Sequence, residues 1–252
     1  MAAGRVSLAS GVYFSPATDQ GCVVLNVERG SVLSLDNTGA SMFSKLAHAS
    51  KEGLTRDEFV EIVKREFEDV DVSRIEKAVD DLLARLRQTG TLQAEQTVVA
   101  SKRRDRRAEL ALRLSRCARY LLRPLLEMKA YTIAALVLLI TGEVVRKLGG
   151  FRSIHDTVER WGVTDQPQRD DGTLANACAA VNRACTWYPK RSLCLQRASV
   201  LVCLLRSLGF PAQMVIGVHK MPFYGHAWVE VGGNVVNDHA NVQKFFHVLN
   251  RC

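Results

Sequence analysis

The sequence predicts an α+β protein made of two units, and three observations carry that reading. Short β-branched runs open the chain and give way to helical periodicity before residue 90. The sign of the charge changes near residue 95: residues 1–95 hold 11 basic and 15 acidic side chains, residues 96–252 hold 23 and 11. A helical stretch then runs to about residue 186 and yields to a helix, a strand and a hairpin. At 252 residues there is room for two modest domains.

Val12–Phe14 and Cys22–Val27 read as the first two strands, punctuated by Gly21 and Gly30. Glu28-Arg29-Gly30-Ser31 turns into a third, Val32–Leu35. Met42, Phe43 and Leu46 mark the first helix. Thr55 with Glu58 is a capping-box pattern opening the second, whose apolar face is Phe59, Ile62, Val63 and Phe67. Ser73 with Glu76 repeats the pattern for the third, where Val72, Ile75, Val79, Leu82 and Leu86 recur at helical steps toward a Gly90 cap. Three strands then three helices make a winged-helix-like module over residues 1–92.

Residues 93–108 are polar and charged and read as a linker, leaving 109–252 as the second domain. Its helical pattern is punctuated at Pro124, Gly149-Gly150 and Pro167. Leu195–Leu208 reads as a helix ended by Gly209 and Pro211, and Ala212–Val218 as a strand. Gly225–Val231 and Asn234–Asp238 are two strands joined across tandem glycines.

Seven widely spread cysteines do not form a secreted disulfide framework. The opening MAAGRVSLASGVYF lacks an apolar signal-peptide region, so the expected location is cytoplasmic. Ala130–Gly142 is apolar and uncharged but falls well short of the roughly 20 residues that span a bilayer, so it reads as a buried helix. The basic run at 102–107 reads as solvated.

The chemistry points to Cys194. A cysteine nucleophile needs a lowered thiol pKa, a histidine partner and a group orienting that histidine. Cys194 opens a predicted helix, where free N–H groups favour the thiolate, and Lys190 and Arg191 precede it. His226 lies in Gly225–Val231, and Asp238 ends the returning strand. A two-residue turn at Gly232-Gly233 sets these two side chains on opposite faces of the sheet. A three-residue loop with a G1 bulge, pairing Glu230 with Asn234, sets them opposite one another, and that bulge or an equivalent is the expectation. Asn237 is the fallback orienter. The Cys194 N–H is one oxyanion donor; Gln196, Trp187 and the backbone before Cys194 compete for the second. Arg197 reads either as a structural ion-pair partner or as a substrate contact. Cys203, half a turn out of phase with Cys194, belongs in the core. No metal-ligand spacing appears, and neither metal nor organic cofactor is expected.

This constellation resembles cysteine proteases of the papain and transglutaminase kind. The stretch Cys194-Leu195-Gln196-Arg197, Leu204–Ala212, Val215–Val218, Pro222-Phe223, His226–Val231 and Val236-Asn237-Asp238 resembles the leader peptidase of lasso-peptide biosynthesis over about 60 residues. Ala198 stands where many members carry a serine. The resemblance implies a transglutaminase-like fold with Cys194, His226 and Asp238 as the triad. It also implies that the enzyme cuts between leader and core of a precursor peptide, beside an ATP-dependent macrolactam cyclase as partner.

Leu33–Ala40 resembles the third strand and following turn of the precursor-recognition domains of ribosomal-peptide maturation. Those domains take the leader as an added strand beside strand three and against helix three. By that analogy Val32, Leu33, Ser34 and Leu35 with Val79, Leu82, Leu83 and Leu86 form the leader groove. Two rival readings stand beside this one. The same triad with an amine acceptor makes an acyltransferase. A non-enzymatic winged helix would bind nucleic acid, which the acidic first unit and the Asp80-Asp81 pair in its third helix disfavour.

Overall fold

Three antiparallel strands open the first unit: β1 (Val12–Phe14), β2 (Cys22–Asn26) and β3 (Ser31–Leu35), in the order β1-β2-β3. The computed structural model describes residues 5–15, 21–49, 53–93, 98–165, 170–189, 194–219 and 224–252. The chain divides into two units, Met1–Thr97 and Val98–Cys252.

In the first unit β2 is buried along its whole length and pairs Cys22 with Leu35 and Asn26 with Ser31. Helices α1 (Asn37–Ala49), α2 (Arg56–Lys64) and α3 (Val72–Gln88) follow. Their apolar stripes meet in one core with Phe43, Leu46, Phe59, Val79, Leu83 and Leu86 at its centre. The Thr55–Glu58 capping box forms in both directions. The cap of α3 lies earlier than its sequence pattern implies: Asp71, not Ser73, is the N-cap and accepts from the Ser73 N–H. An ionised carboxylate at a helix N-terminus outcompetes the hydroxyl two residues on. Thr89 caps the other end, and Gly90 follows it at φ +69.

The second unit begins with a long helical hairpin, α4 (Val98–Glu127) and α5 (Tyr131–Arg160). The charged residues read as linker are, from Val98, the opening turns of α4. Lys, Arg, Ala, Glu and Leu are strong helix formers, and neither Gly nor Pro interrupts them before Pro124. Pro124 does not end the helix, which runs on to Glu127 although the ring removes the bond to the Tyr120 carbonyl. Gly150, at φ +67, does kink α5. The apolar 130–142 run is part of α5, with Ala134, Ala135, Leu138 and Leu139 buried. Among the described residues no helix is long and apolar enough to cross a membrane.

Helix α6 (Asp171–Trp187) and helix α7 (Cys194–Ser207) pack on this hairpin. From Ala198 to Leu205 every residue of α7 is buried, so the helix is enclosed on all sides by α5, α6 and a sheet. That antiparallel sheet runs in the order β6-β5-β4-β7, with β4 (Ala212–His219), β5 (Tyr224–Val231), β6 (Asn234–Val235) and β7 (His247–Arg251). A short helix α8 (Val242–Phe245) precedes β7.

The hairpin joining β5 and β6 differs from the expected bulge. Val231 pairs with Asn234 and Glu230 with Val235 across a two-residue turn. Gly232 and Gly233 have φ of +59° and +82°, the mirror-image geometry that matches the natural twist of two strands. Because both residues are glycine, this turn carries no steric penalty and the three-residue loop has no advantage over it.

Candidate active site

Cys194 is the first residue of α7, where the helix has N–H groups to spare. Its thiol is held below the ordinary value. A hydrogen bond with His226 is the largest cause, and partial burial opposes it. The backbone N–H groups of Ala227 and Leu195 and the charge of the imidazole add to the lowering. Cys178, Cys203 and Cys252 are pushed the other way by burial, the last two up to about 12. Cys203 lies in the core, as its phase on the helix predicts.

The Ala227 N–H is available because β6 stops early. In the register of the hairpin, the backbone groups of residues 231, 229 and 227 face β6. The Val236 N–H donates to the Val229 carbonyl at 3.0 Å, and the ladder ends there. The Val229 N–H donates instead to the side-chain oxygen of Asn237 at 2.8 Å. The Val236 carbonyl accepts from Cys178 Sγ at 3.3 Å. Residues 236–238 form a bend rather than a strand, which leaves the Ala227 N–H to the sulfur.

The same bend delivers Asp238. Its Oδ2 lies 2.7 Å from His226 Nε2, with the two side chains 24% and 25% exposed. This leaves Nδ1 of the ring for the thiol. The Cys194 bond is the main cause that raises the imidazole above its ordinary pKa, against its burial, and the Asp238 bond and charge assist. Burial alone would raise the Asp238 carboxyl. The His226 bond, the His239 N–H and the charges of His226 and Arg197 outweigh it and hold the carboxyl low. Trp228 and Phe246 pack against the imidazole, with ring centroids 6.2 Å and 5.2 Å away. Thiol, imidazole and carboxylate thus form one hydrogen-bonded chain suited to nucleophilic acyl chemistry.

The remaining candidates divide. Gln196 is buried, and its Nε2 has no partner among the described residues. Trp187 ends α6 and is 64% exposed. Arg197 donates through Nη2 to the Asn237 carbonyl at 3.2 Å. Lys190 and Arg191 lie outside the described residues. Asn237 does not touch the imidazole in the role of fallback orienter; it ends the ladder and so aims its neighbour. An asparagine where a strand turns away was the sequence signal for this.

The first unit offers a second surface. Strand β3 is an edge strand, with Val32 and Ser34 exposed along it. The Ser34 carbonyl points away from β2 and accepts from Arg85 Nη2 of α3 at 3.1 Å. The α3 residues expected to wall this groove lie inside the unit. Val79, Leu82, Leu83 and Leu86 are at most 5% exposed and belong to the core. They occupy the α3 face turned to the sheet, whereas the face beside the edge presents Arg85.

Residues 21–92 match the family model of coenzyme PQQ synthesis protein D (PqqD), and residues 136–250 match that of the transglutaminase-like superfamily. The second match contains Cys194, His226 and Asp238. A curated relative, the Microcin J25-processing protein McjB of Escherichia coli, is 44% identical over 59 residues, 23% of this chain. That alignment spans 28% of the relative's own length. The solved structure of TbiB1 in complex with the TbiA(beta) leader peptide is 26% identical, covering 36% of this chain and 98% of that one, at a TM-score of 0.30.

Proposed function

From a chain that joins a PqqD-type unit to a transglutaminase-like unit, we propose a leader peptidase of lasso-peptide biosynthesis. The observation that carries this reading is the continuous hydrogen-bonded chain from Cys194 through His226 to Asp238. The likeness to a microcin-processing protein supports the same class of substrate.

In this reading the edge of β3 takes the leader segment as an added strand. Binding there raises the effective concentration of the leader–core junction at the protease unit. The Cys194 thiolate attacks the junction carbonyl. The carbon–nitrogen bond breaks as the His226 imidazolium gives its proton to the leaving amine, which frees the core. Water, deprotonated by His226, then hydrolyses the thioester and releases the leader as a carboxylate. Asp238 keeps the imidazole in the tautomer and orientation both steps need. The Cys194 N–H serves as one oxyanion donor, and the Gln196 amide, whose Nε2 has no partner among the described residues, is the side-chain candidate for the second. The freed core amine is the group a partner macrolactam cyclase would consume.

Mass spectrometry of a precursor peptide incubated with wild type and with Cys194→Ala tests this. One cut between leader and core, absent in the variant, is the expected result. Cleavage that survives the substitution overturns the mechanism, and a product joined to an added amine would mean acyl transfer rather than hydrolysis.

A further inference from the structure

The bend that presents Asp238 is held from three sides. Helix α6 supplies Cys178 to the Val236 carbonyl at 3.3 Å. Strand β5 supplies the Val229 N–H to the Asn237 side chain at 2.8 Å. Helix α7 supplies Arg197 to the Asn237 carbonyl at 3.2 Å. Of these, the Arg197 bond joins the two parts that must stay in register, for Arg197 stands one turn beyond Cys194 on the same helix. The Asn237 carbonyl immediately precedes Asp238. A single side chain therefore spans from the helix of the thiol to the loop of the carboxylate.

Arg197 is not placed as a surface ion pair. It bonds a backbone carbonyl, and its Nε is buried with no partner among the described residues. A buried, unspent donor costs stability. A side chain retained at that cost has work beyond folding to explain.

We propose that Arg197 is a positioning residue that locks the Asn237–Asp238 bend to the Cys194 helix, so that thiol, imidazole and carboxylate hold one geometry. This rests on the protease reading above and adds to it the group that keeps the site assembled. The groups facing the Asp238 carboxyl are His226 from β5, the His239 N–H beside it and Arg197 from α7, with Cys194 beyond the ring. Removing Arg197 takes away one of these positive charges and the tether. The Asp238 carboxyl then takes up a proton at higher pH. The imidazolium, less supported, loses its proton at lower pH. An imidazole that holds its proton less well supports the Cys194 thiolate less, so the acid limb set by Cys194 moves up and the alkaline limb set by His226 moves down.

The test compares Arg197→Gln and Arg197→Lys with Arg206→Gln, in the full chain. Arg206 also bonds backbone carbonyls, those of Val158, Trp161 and Ala212, and so reports a purely structural loss. Three readouts are taken: kcat and KM on the precursor, the pH profile of kcat/KM, and the pH dependence of Cys194 alkylation by iodoacetamide. We expect Arg197→Gln to lower kcat about 10- to 100-fold at unchanged KM. It should also narrow the pH profile and move the alkylation inflection upward, while Arg197→Lys, keeping charge and one donor, recovers part of each. A profile and an inflection that stay put, with only a lower Tm as in Arg206→Gln, overturn the proposal. The alkylation readout needs no substrate. A shifted inflection in a protein that cuts no precursor would therefore uphold the tether and reject the protease reading. If Arg197→Gln does not fold, Arg197→Met, which keeps the bulk of the side chain without its charge or donors, decides by the same inflection. An unmoved inflection there rejects the tether.

Discussion

His226 Nε2 and Asp238 Oδ2 are 2.7 Å apart, although the register of their hairpin assigns the two residues to opposite faces of the sheet. The contradiction is resolved by Asn237. Its side chain takes the Val229 N–H that the next ladder bond would have used, and the strand turns off. Extending β6 by three residues would set Asp238 on the wrong face and also consume the Ala227 N–H that now serves the sulfur.

Asn237→Val should therefore weaken the site without touching any group that reacts. The valine removes the acceptor and favours continued strand pairing. We expect kcat to fall about 10- to 100-fold, comparable to losing part of the base's orientation. Val229 amide exchange should show whether the ladder has lengthened. A variant with wild-type kcat would mean the bend is set elsewhere.

The titration of the thiol gives a second prediction. Cys194 is held below, and His226 above, their ordinary values, each mainly by the bond to the other. Both shifts favour the thiolate–imidazolium pair over the thiol and neutral imidazole, and that ion pair is the form the proposed mechanism uses. Activity should rise through the Cys194 pKa on the acid side and fall through the His226 pKa on the alkaline side. In His226→Ala the main cause of the thiol's lowering is gone. Its iodoacetamide inflection should move up toward the ordinary thiol value near 8.5–9. An inflection that stays in place would assign the lowering to the helix terminus and the Ala227 N–H instead.

Much of this site was legible from residue types and spacing, because Cys194, His226 and Asp238 each carry a local signal. A cysteine opening a helix, a histidine in a strand before a Gly-Gly turn and an aspartate after it are all short-range features. What could not be read was the route by which they meet. Tandem glycines favour the two-residue turn, and the bend after it was decided by Asn237, Cys178 and Arg197, which lie 8 to 58 residues from their partners. Strand β7 was missed for a related reason. His247–Arg251 has one buried residue and no alternation of period two, and it is a strand because β4 lies beside it. In α3 the stripe was read correctly as one face, yet periodicity alone does not say whether a face meets the core or a ligand.

Gly217 should not tolerate a side chain. It faces His226 across the β4–β5 ladder, and a Cβ there would come within 2.8 Å of the Trp228 ring and 3.0 Å of the Phe246 Cβ. Trp228 is fully buried and fixed by its Nε1 bond to Glu230, so it cannot yield cheaply. Gly217→Ala should destabilise the fold by about 1–3 kcal/mol, seen as a lower urea midpoint at unchanged slope. It should also displace the imidazole that packs on these two rings, so kcat falls with stability. Wild-type stability would show that Phe246 moves aside freely.

The edge of β3 gives a prediction that separates leader binding from folding. The Ser34 carbonyl faces Arg85, away from β2, and in an antiparallel strand the N–H of the same residue points the same way. Ser34→Pro thus removes a donor that no described strand uses, and proline is accepted on an edge. The first unit should keep its Tm within a few degrees, while a leader peptide that adds as a strand loses one backbone bond and meets the ring. Affinity measured by fluorescence anisotropy of a labelled leader should fall by about tenfold or more, equivalent to about 1.4 kcal/mol. Leu83→Ala is the opposite case. Leu83 is 1% exposed in the core, so its truncation should cost about 2–5 kcal/mol of stability and reduce binding only as far as the unit unfolds. Equal loss of affinity from both variants at full folding would place the leader against the buried face of α3 and not along the edge. Wild-type affinity in Ser34→Pro would remove strand addition at β3 as the mode of capture.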